Sequence, residues 1–217
     1  MSDSAAKGHE LAALLKQTPF LDQVDPAGKR VFVRADFNVP IDENGAMVDD
    51  GRLRSALPTI NYLLDHGARV IVASHMRNPL ESNGRPDKRY SFAPLARRLS
   101  RLWEAEVSFC PEVVGDRTLE AVDQLTSGKV LLLENLRFHP GETAADPQFA
   151  RQLAQLADAY VNDAFGVCHR PHASMITLPP LMDTRAGGFA PKNDLMALSR
   201  GLRHPAAPLG AVLGGQH

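Results

Sequence analysis

Three polar side chains at alternate positions follow a short apolar run near the start of the chain. The run 31–33 leads into Arg34, Asp36 and Asn38, and Pro40 closes the segment. Residues two apart on a strand point to the same face, and ligands of open α/β sheets bind outside the carboxyl ends of the strands. The pattern therefore predicts a polar binding cluster at the end of a buried strand. The alternative is a strand end whose polar residues are only solvated.

Further basic side chains follow the predicted strands, the first of them in the loop after the strand just described. They are Arg52, His75, Arg77, Arg137, His139, His169, Arg170 and His172. Guanidinium groups bind carboxylates and phosphates through paired hydrogen bonds. Taken singly, each arginine fits a solvated surface charge, but their joint placement at strand ends favours a site. This rim of arginines suits a small substrate with two separate anionic groups.

Metal binding and nucleophilic catalysis are weaker interpretations of the same region. His169 and His172 form a His-x-x-His pair, but no third ligand has a suitable spacing and the surrounding arginines repel a cation. We therefore predict no metal, and expect these histidines to donate protons or hydrogen bonds to an anion. Glu134 and Asp163 are expected to be buried partners of arginines or backbone amides. Cys168 is expected to be a small packing residue, since no base is spaced to activate it.

The apolar patterns between these residues predict strands that alternate with helices. Strands are predicted at 31–36, 69–73, 107–110, 129–133, 159–162 and 209–213. Helices are predicted at 53–64 with a kink or later start at Pro58, from Pro94, at 113–125, from Asp146-Pro147, and at 192–203. Buried apolar strands that alternate with helices are typical of parallel sheets covered on both faces. The predicted fold class is α/β, a Rossmann-like three-layer α/β/α domain with a parallel sheet of about six strands.

Irregular stretches and composition shifts suggest how the chain is divided. Loops are predicted at 42–51, 75–88 and 178–190, the second arching over the ligand face and the third acting as a hinge or linker. The expected division is an N-terminal arm (1–28), a substrate-binding α/β domain (29–190), and an interdomain helix with the start of a last strand and turn, truncated (191–217).

Composition excludes several classes of protein. A net charge of −1 over 217 residues gives no global attraction to nucleic acid or membrane, so an anion site must come from local clustering. Two cysteines without C-x-x-C spacing argue for a reducing compartment. No apolar run reaches membrane-spanning length and no signal-peptide pattern is present, so a cytoplasmic location is expected. Neither a P-loop nor a G-x-G-x-x-G after a strand occurs.

Several long segments, in order, resemble phosphoglycerate kinase. They are VFVRADFNVP (31–40), RLRSALPTI (52–60), Ser74-His75, LLLENLRFHP (131–140), YVNDAFGVCHRPHAS (160–174) and the strand and Gly-Gly turn at 209–215. The resemblance runs from about Gly28 to the C-terminus. It covers only the N-terminal, 3-phosphoglycerate-binding domain of a family whose members are about twice this length.

The resemblance implies an activity and a set of roles. The family transfers a phosphoryl group between ATP or ADP, bound with Mg²⁺, and the carboxyl group of 3-phosphoglycerate. By resemblance, Asp36 and Asn38 contact the hydroxyl and carboxyl region of the substrate, and Arg52 is the catalytic arginine at its carboxyl end. The 3-phosphate is bound by His75, Arg137 and Arg170, with a secondary basic patch of Arg34, Arg77 and His172.

The sequence departs from the family pattern in two places. The family's Leu-Gly-Arg-Pro after Ser-His is here Met76-Arg77-Asn78-Pro79, and Gly84-Arg85-Pro86 follows in a longer loop. Either Arg77 or Arg85 replaces the family arginine, or that phosphate contact is absent. The family's Gly-Gly-Ala-Lys turn is here Gly-Gly-Gln-His, so His217 stands where a lysine would face the transferred phosphoryl group.

Two functions are compatible with these observations. The first is phosphoglycerate kinase, present as its 3-phosphoglycerate-binding half and expected to be inactive without a nucleotide domain. The second is a non-catalytic small-anion binding module or a truncated gene product. Mg-ATP or Mg-ADP belongs to the complete family enzyme, and neither is expected to bind this chain tightly. The expected partner is 3-phosphoglycerate, with no nucleic acid and no membrane, in a monomer; a separate nucleotide-binding domain is a further expected partner.

Overall fold

Six parallel strands form one sheet at the centre of the computed structural model, which describes residues 17–42, 47–79, 85–203 and 210. The strands are β1 (Arg30–Ala35), β2 (Arg69–Ala73), β3 (Val107–Cys110), β4 (Val130–Leu133), β5 (Ala159–Asp163) and β6 (Thr184–Gly187). Their order across the sheet is β3-β4-β2-β1-β5-β6, and each neighbouring pair is parallel. Five of the six predicted strands are present within one residue of the predicted ends.

Helices cover both faces of this sheet. They are α1 (Gly51–Ser55), α2 (Leu57–Asp65), α3 (Ala93–Trp103), α4 (Asp116–Asp123), α5 (Pro140–Thr143), α6 (Pro147–Ala154) and α7 (Phe189–Arg203). One core packs α1, α2 and α3 against residues such as Val33 and Val72. The other packs α4 and α6 against residues such as Phe32 and Leu131. Successive residues of one strand point into opposite cores. The predicted three-layer α/β/α arrangement is therefore confirmed.

Local sequence signals decide where the helices begin and end. The predicted helix over 53–64 is interrupted at Ala56, and Pro58 occupies the first turn of α2, where its missing N–H costs no hydrogen bond. Gly67 ends that helix with a φ of +71°, which glycine adopts without strain. Asp146 caps α6 by accepting hydrogen bonds from the amides of Gln148 and Phe149. Helix α4 is shorter at both ends than the predicted 113–125.

One strand of the sheet, β6, was not predicted from the sequence. Strand β6 lies inside the stretch 178–190 that was predicted to be a hinge or linker, so that prediction is wrong. Its sequence, Thr-Arg-Ala-Gly, has little strand propensity. Pairing with β5 on one side and a backbone bond from Gly187 N to Pro19 O (2.9 Å) on the other supply its order. The predicted strand at 209–213 falls almost wholly outside the described residues.

The described end of the predicted N-terminal arm packs on the domain. Phe20 bridges to Gly187, the last residue of β6, and Phe20 and Leu21 are buried. This segment thereby covers an edge of the sheet that would otherwise expose unpaired backbone groups. No helix among the described residues is both long enough and apolar enough to cross a membrane.

Candidate anion-binding site

The sheet topology brings the predicted polar residues to one edge. All strands run in the same direction, so their carboxyl ends meet there. The chain proceeds from β1 to β2 and on towards β3 and β4, then returns to add β5 on the other side of β1. A reversal of this kind opens a crevice outside the carboxyl ends of the two strands that flank it, here β1 and β5.

Alternation along the segment after β1 separates its polar residues from the core. Val31, Val33, Ala35, Phe37 and Val39 all belong to one buried apolar cluster, so the period of two continues beyond the end of the strand. The intervening positions 34, 36 and 38 therefore lie on the opposite side. The predicted shared face of these three polar residues is what the fold produces.

Arg34 is fully buried at the end of β1, and only neutral groups accept its hydrogen bonds. Its Nε donates to Ser174 Oγ (2.9 Å), its Nη1 donates to the carbonyl of Ala35, and its Nη2 lies 3.1 Å from His75 Nδ1. No salt bridge to Arg34 occurs among the described residues. A buried guanidinium without a paired carboxylate keeps its positive charge available to the adjoining site.

Arg34, His75, Arg137, Arg170 and His172 lie together and are named here the basic cluster. The pKa of His75 is lowered to about 2, first by burial and then by the charges of the four other members. Its ring is therefore neutral at physiological pH. It can donate a hydrogen bond to an anion but does not titrate near neutral pH. Of the two roles predicted for the histidines, proton donation and hydrogen bonding, only hydrogen bonding is therefore left for His75.

Arg137 is an arginine of the basic cluster whose pKa is lowered. Burial and the charges of Arg170 and Arg34 lower its pKa to about 10, while Glu142 and Asp36 oppose the shift. The guanidinium remains protonated at neutral pH. Repulsion between these like charges favours the binding of an anion, because an anion placed among the arginines relieves the repulsion.

Several buried nitrogens of the basic cluster have no hydrogen-bond partner. In the part of the chain that the structure describes, the unpaired buried side-chain atoms are His75 Nε2, Arg137 Nε, Arg170 Nε, His172 Nδ1 and Asp163 Oδ2. Buried polar groups are normally satisfied. Four of these five atoms are nitrogens of the basic cluster, so the arrangement can receive a ligand that accepts hydrogen bonds.

Arg52 lies at the mouth of the crevice and is paired with Asp36. Arg52 is half exposed and its Nη1 donates to Asp36 Oδ2. These two residues line a cavity of about 530 Å³ together with Asp163, Gly166 and Asp194. The predicted catalytic arginine is thus close to one predicted substrate contact, on the side of the crevice that α7 borders.

The loop after β2 is fixed by amides. The Asn38 side chain accepts from the backbone N–H of Arg77 (2.9 Å), and the carbonyl of Arg77 accepts from Arg137. Asn135 is fully buried and holds the same loop by accepting from Met76 N (3.2 Å) and donating to Met76 O (3.0 Å). Arg77 itself has a φ of +52° and an exposed side chain. Its backbone, not its charge, is what the described structure ties to the cluster.

Some predicted members have other roles. His139 does not join the basic cluster: its Nδ1 accepts from Gly141 N (3.1 Å) at the start of α5, and its ring stacks on Phe149 at 4.2 Å. Glu134 accepts from the amides of Phe92 and Asn135, each at 2.8 Å, as predicted for a buried carboxylate. No group of three or more metal-ligating side chains occurs among the described residues.

Sequence reasoning missed two buried residues of this site. Glu142 accepts from Ser174 Oγ (2.6 Å) and from Ser174 N (3.0 Å), and both residues are fully buried. Glu142 lies in the short helix α5, and Ser174 lies in a π-helical turn at Ala173–Thr177. A signal existed only for Ser174, which ends one of the long motifs. No spacing in the sequence links the two residues.

Comparison with known proteins identifies relatives over most of the chain. The phosphoglycerate kinase family model matches residues 21–217. The phosphoglycerate kinase of Aquifex aeolicus is 46% identical over 195 residues, which are 90% of this chain and 48% of that protein. The one from Desulforudis audaxviator is 49% identical over 202 residues, 93% of this chain and 50% of that protein.

Solved structures agree with these relatives. Phosphoglycerate kinase from Coxiella burnetii superposes with a TM-score of 0.77 at 32% identity, covering 88% of this chain and 46% of that one. The enzyme from Pyrococcus horikoshii OT3 gives 0.79 at 29% identity, covering 88% and 47%. This chain spans about half the length of the curated relatives it matches. It belongs to the phosphoglycerate kinase family.

Proposed function

We propose that this chain is the 3-phosphoglycerate-binding half of a phosphoglycerate kinase. The substrate carries a carboxylate at one end and a phosphate at the other. In this proposal the 3-phosphate is bound by the basic cluster, chiefly Arg137 and Arg170 with the Nε2–H of His75. The carboxyl and hydroxyl end lies towards Asp36, Asn38 and Arg52.

The unpaired buried nitrogens carry this proposal. A phosphate group offers several acceptor oxygens, and the basic cluster offers buried donors that the protein leaves unsatisfied. Leaving such donors unpaired costs roughly 1–3 kcal/mol each. A bound phosphate would recover that cost, and its charge would offset the mutual repulsion among the arginines.

The proposed chemistry demands positioning more than covalent work. Phosphoryl transfer gains most from alignment and from stabilising charge as it develops. Arg52, half exposed at the mouth of the crevice, is the group that would neutralise a phosphoryl group arriving at the substrate carboxylate. The Arg52–Asp36 pair would have to open for both residues to contact substrate. Mg-ATP or Mg-ADP would be held by the half of the family's longer proteins that this chain does not span.

A second candidate is a non-catalytic module that binds a small anion, 3-phosphoglycerate. The site itself favours it, because the basic cluster can hold an anion without any nucleotide nearby. The sequence also contains neither of the common glycine-rich nucleotide motifs. The two candidates agree on the ligand and differ on turnover.

Titration calorimetry with 3-phosphoglycerate tests the shared part of the proposal. Binding is expected and should weaken with added salt, since its main term is electrostatic. Arg137→Ala should weaken it at least tenfold, because a charge-assisted hydrogen bond is worth about 1.5–3 kcal/mol. Exposed Arg101, in the last turn of α3 and not a member of the basic cluster, gives the matched control Arg101→Ala, which should bind normally. Absence of binding at millimolar ligand would contradict both candidates.

A further inference from the structure

Four fully buried side chains form a continuous chain of hydrogen bonds behind the site. Glu142 Oε1 accepts from Ser174 Oγ at 2.6 Å, and Ser174 Oγ accepts from Arg34 Nε at 2.9 Å. Arg34 Nη2 then lies 3.1 Å from His75 Nδ1. All four residues have no measurable solvent exposure. We call this chain of side chains the buried relay.

The direction of each bond in the buried relay follows from its chemistry. A guanidinium can only donate, so Ser174 Oγ and His75 Nδ1 must both be acceptors towards Arg34. Ser174 has one hydroxyl hydrogen, and Glu142 receives it. A neutral imidazole carries a hydrogen on only one of its two ring nitrogens. With Nδ1 accepting, that hydrogen is on Nε2, which is the unpaired buried nitrogen of His75.

We infer that Glu142 and Ser174 are positioning residues: they orient Arg34, and through it hold His75 as a neutral Nε2–H donor for an anion. Neither residue needs to touch the ligand. The identity of that ligand as 3-phosphoglycerate rests on the proposed function, whereas the orientation of His75 does not.

A purely electrostatic role for Glu142 makes a different prediction. If the carboxylate only balanced the charge of the basic cluster, the hydroxyl between it and Arg34 would be dispensable, and the tautomer of His75 would not depend on Ser174. The contact between Ser174 and Glu142 is specific, however, because Ser174 donates hydrogen bonds to Glu142 from both its hydroxyl and its backbone amide. Orientation, not charge alone, is therefore what Ser174→Ala removes.

The test is the tautomer of His75 in the ligand-free 217-residue chain, read by long-range ¹⁵N–¹H NMR. The His75 signal is assigned by its loss in His75→Gln. The wild-type ring should be the neutral Nε2–H form from pH 5 to 8. Ser174→Ala should add a substantial Nδ1–H population and weaken 3-phosphoglycerate binding about tenfold, the loss of one charged hydrogen bond.

A matched control is available in the same turn. Thr177 Oγ1 donates to the carbonyl of Ala145 at 3.2 Å, away from the buried relay. Thr177→Val removes that hydroxyl and should leave both the tautomer and the affinity unchanged. A protonated or Nδ1–H wild-type ring would overturn the inference, as would a Ser174→Ala spectrum identical to wild type. The expected tautomer change without any 3-phosphoglycerate binding would support the buried relay and overturn the proposed function.

Discussion

Arg34 and Asp163 are ionisable side chains that the fold removes from water for different ends. Arg34 donates its hydrogen bonds to neutral acceptors and is part of the basic cluster. Asp163 accepts from Thr59 Oγ1 (2.8 Å) and Ala190 N (3.2 Å) through one oxygen, while its other oxygen is buried and unpaired. Burial, with a smaller effect from Asp194, raises the pKa of Asp163 to about 7. The unpaired oxygen is where its proton would be held.

Asp163→Asn should change how stability depends on pH. The pKa of Asp163 lies near 7 when folded and near 3.8 when unfolded, so between these values the native state binds the extra proton. Wild-type stability attributable to this group is complete below pH 4 and is lost as the pH rises towards 7. The amide cannot ionise. The free energy of unfolding of the variant should therefore gain on wild type by roughly 2 kcal/mol between pH 5 and pH 8.

Urea unfolding at several pH values measures this difference. The same substitution at exposed Asp183 is the control for the change of side chain itself. Parallel profiles for wild type and Asp163→Asn would mean that Asp163 is not buried in its protonated form.

At the scale of elements, the start of α7 is joined to the sheet through one close approach. Phe189 N donates to Thr59 Oγ1 (2.9 Å) and Ala190 N donates to Asp163, so α2, β5 and α7 share one polar junction. Gly188 passes directly over it. A Cβ at position 188 would lie 2.9 Å from Thr59 Oγ1 and 2.8 Å from Asp163 Cγ. Only glycine fits there without displacing the junction.

Gly188→Ala should therefore destabilise the protein. Overpacking of this kind costs about 1–3 kcal/mol, which chemical denaturation measures directly. Gly201, within α7 with open space around it, is the matched control. Gly201→Ala should stabilise by up to about 1 kcal/mol, because alanine favours a helix interior. Equal effects at both positions would contradict the close approach at Gly188.

At the scale of the whole molecule, the crevice between β1 and β5 determines which side chains can contact the same ligand. The charge of Asp36 acts on Arg137 of the basic cluster, and the Arg52–Asp36 pair shares a cavity with Asp163 and the start of α7. The proposed reaction also requires a nucleotide held opposite Arg52, and this chain spans about half the length of its curated relatives.

This chain alone should not turn over ATP with 3-phosphoglycerate. Losing the alignment of two substrates removes about 7–11 kcal/mol of barrier reduction, which leaves no rate above background. A coupled ATP assay measures this, with the phosphoglycerate kinase of Aquifex aeolicus as the positive control. Sustained turnover by the 217-residue chain would show that it holds nucleotide by itself.

Some features were determined by sequence alone because their causes are local. The period of two through 31–39 places Arg34, Asp36 and Asn38 on one face, whatever packs around them. Pro58 and Gly67 act through their own backbone conformation, and Asp146 acts through the side chain that caps α6. The helices begin and end accordingly. Short apolar runs predicted five of the strands, and four of these (β1, β2, β4 and β5) are largely buried on both faces.

Other features depended on neighbours that lie far away in the chain. Strand β6 forms because β5 and the segment at Pro19 offer it backbone partners, although its own four residues favour no strand. His139 lies outside the basic cluster because its side chain caps α5 and stacks on Phe149. The bond between Glu142 and Ser174, 32 residues apart, arises only when α5 and the π-helical turn pack together. Side-chain type and spacing decide local geometry, but the pairing of buried polar groups is decided by the fold that closes around them.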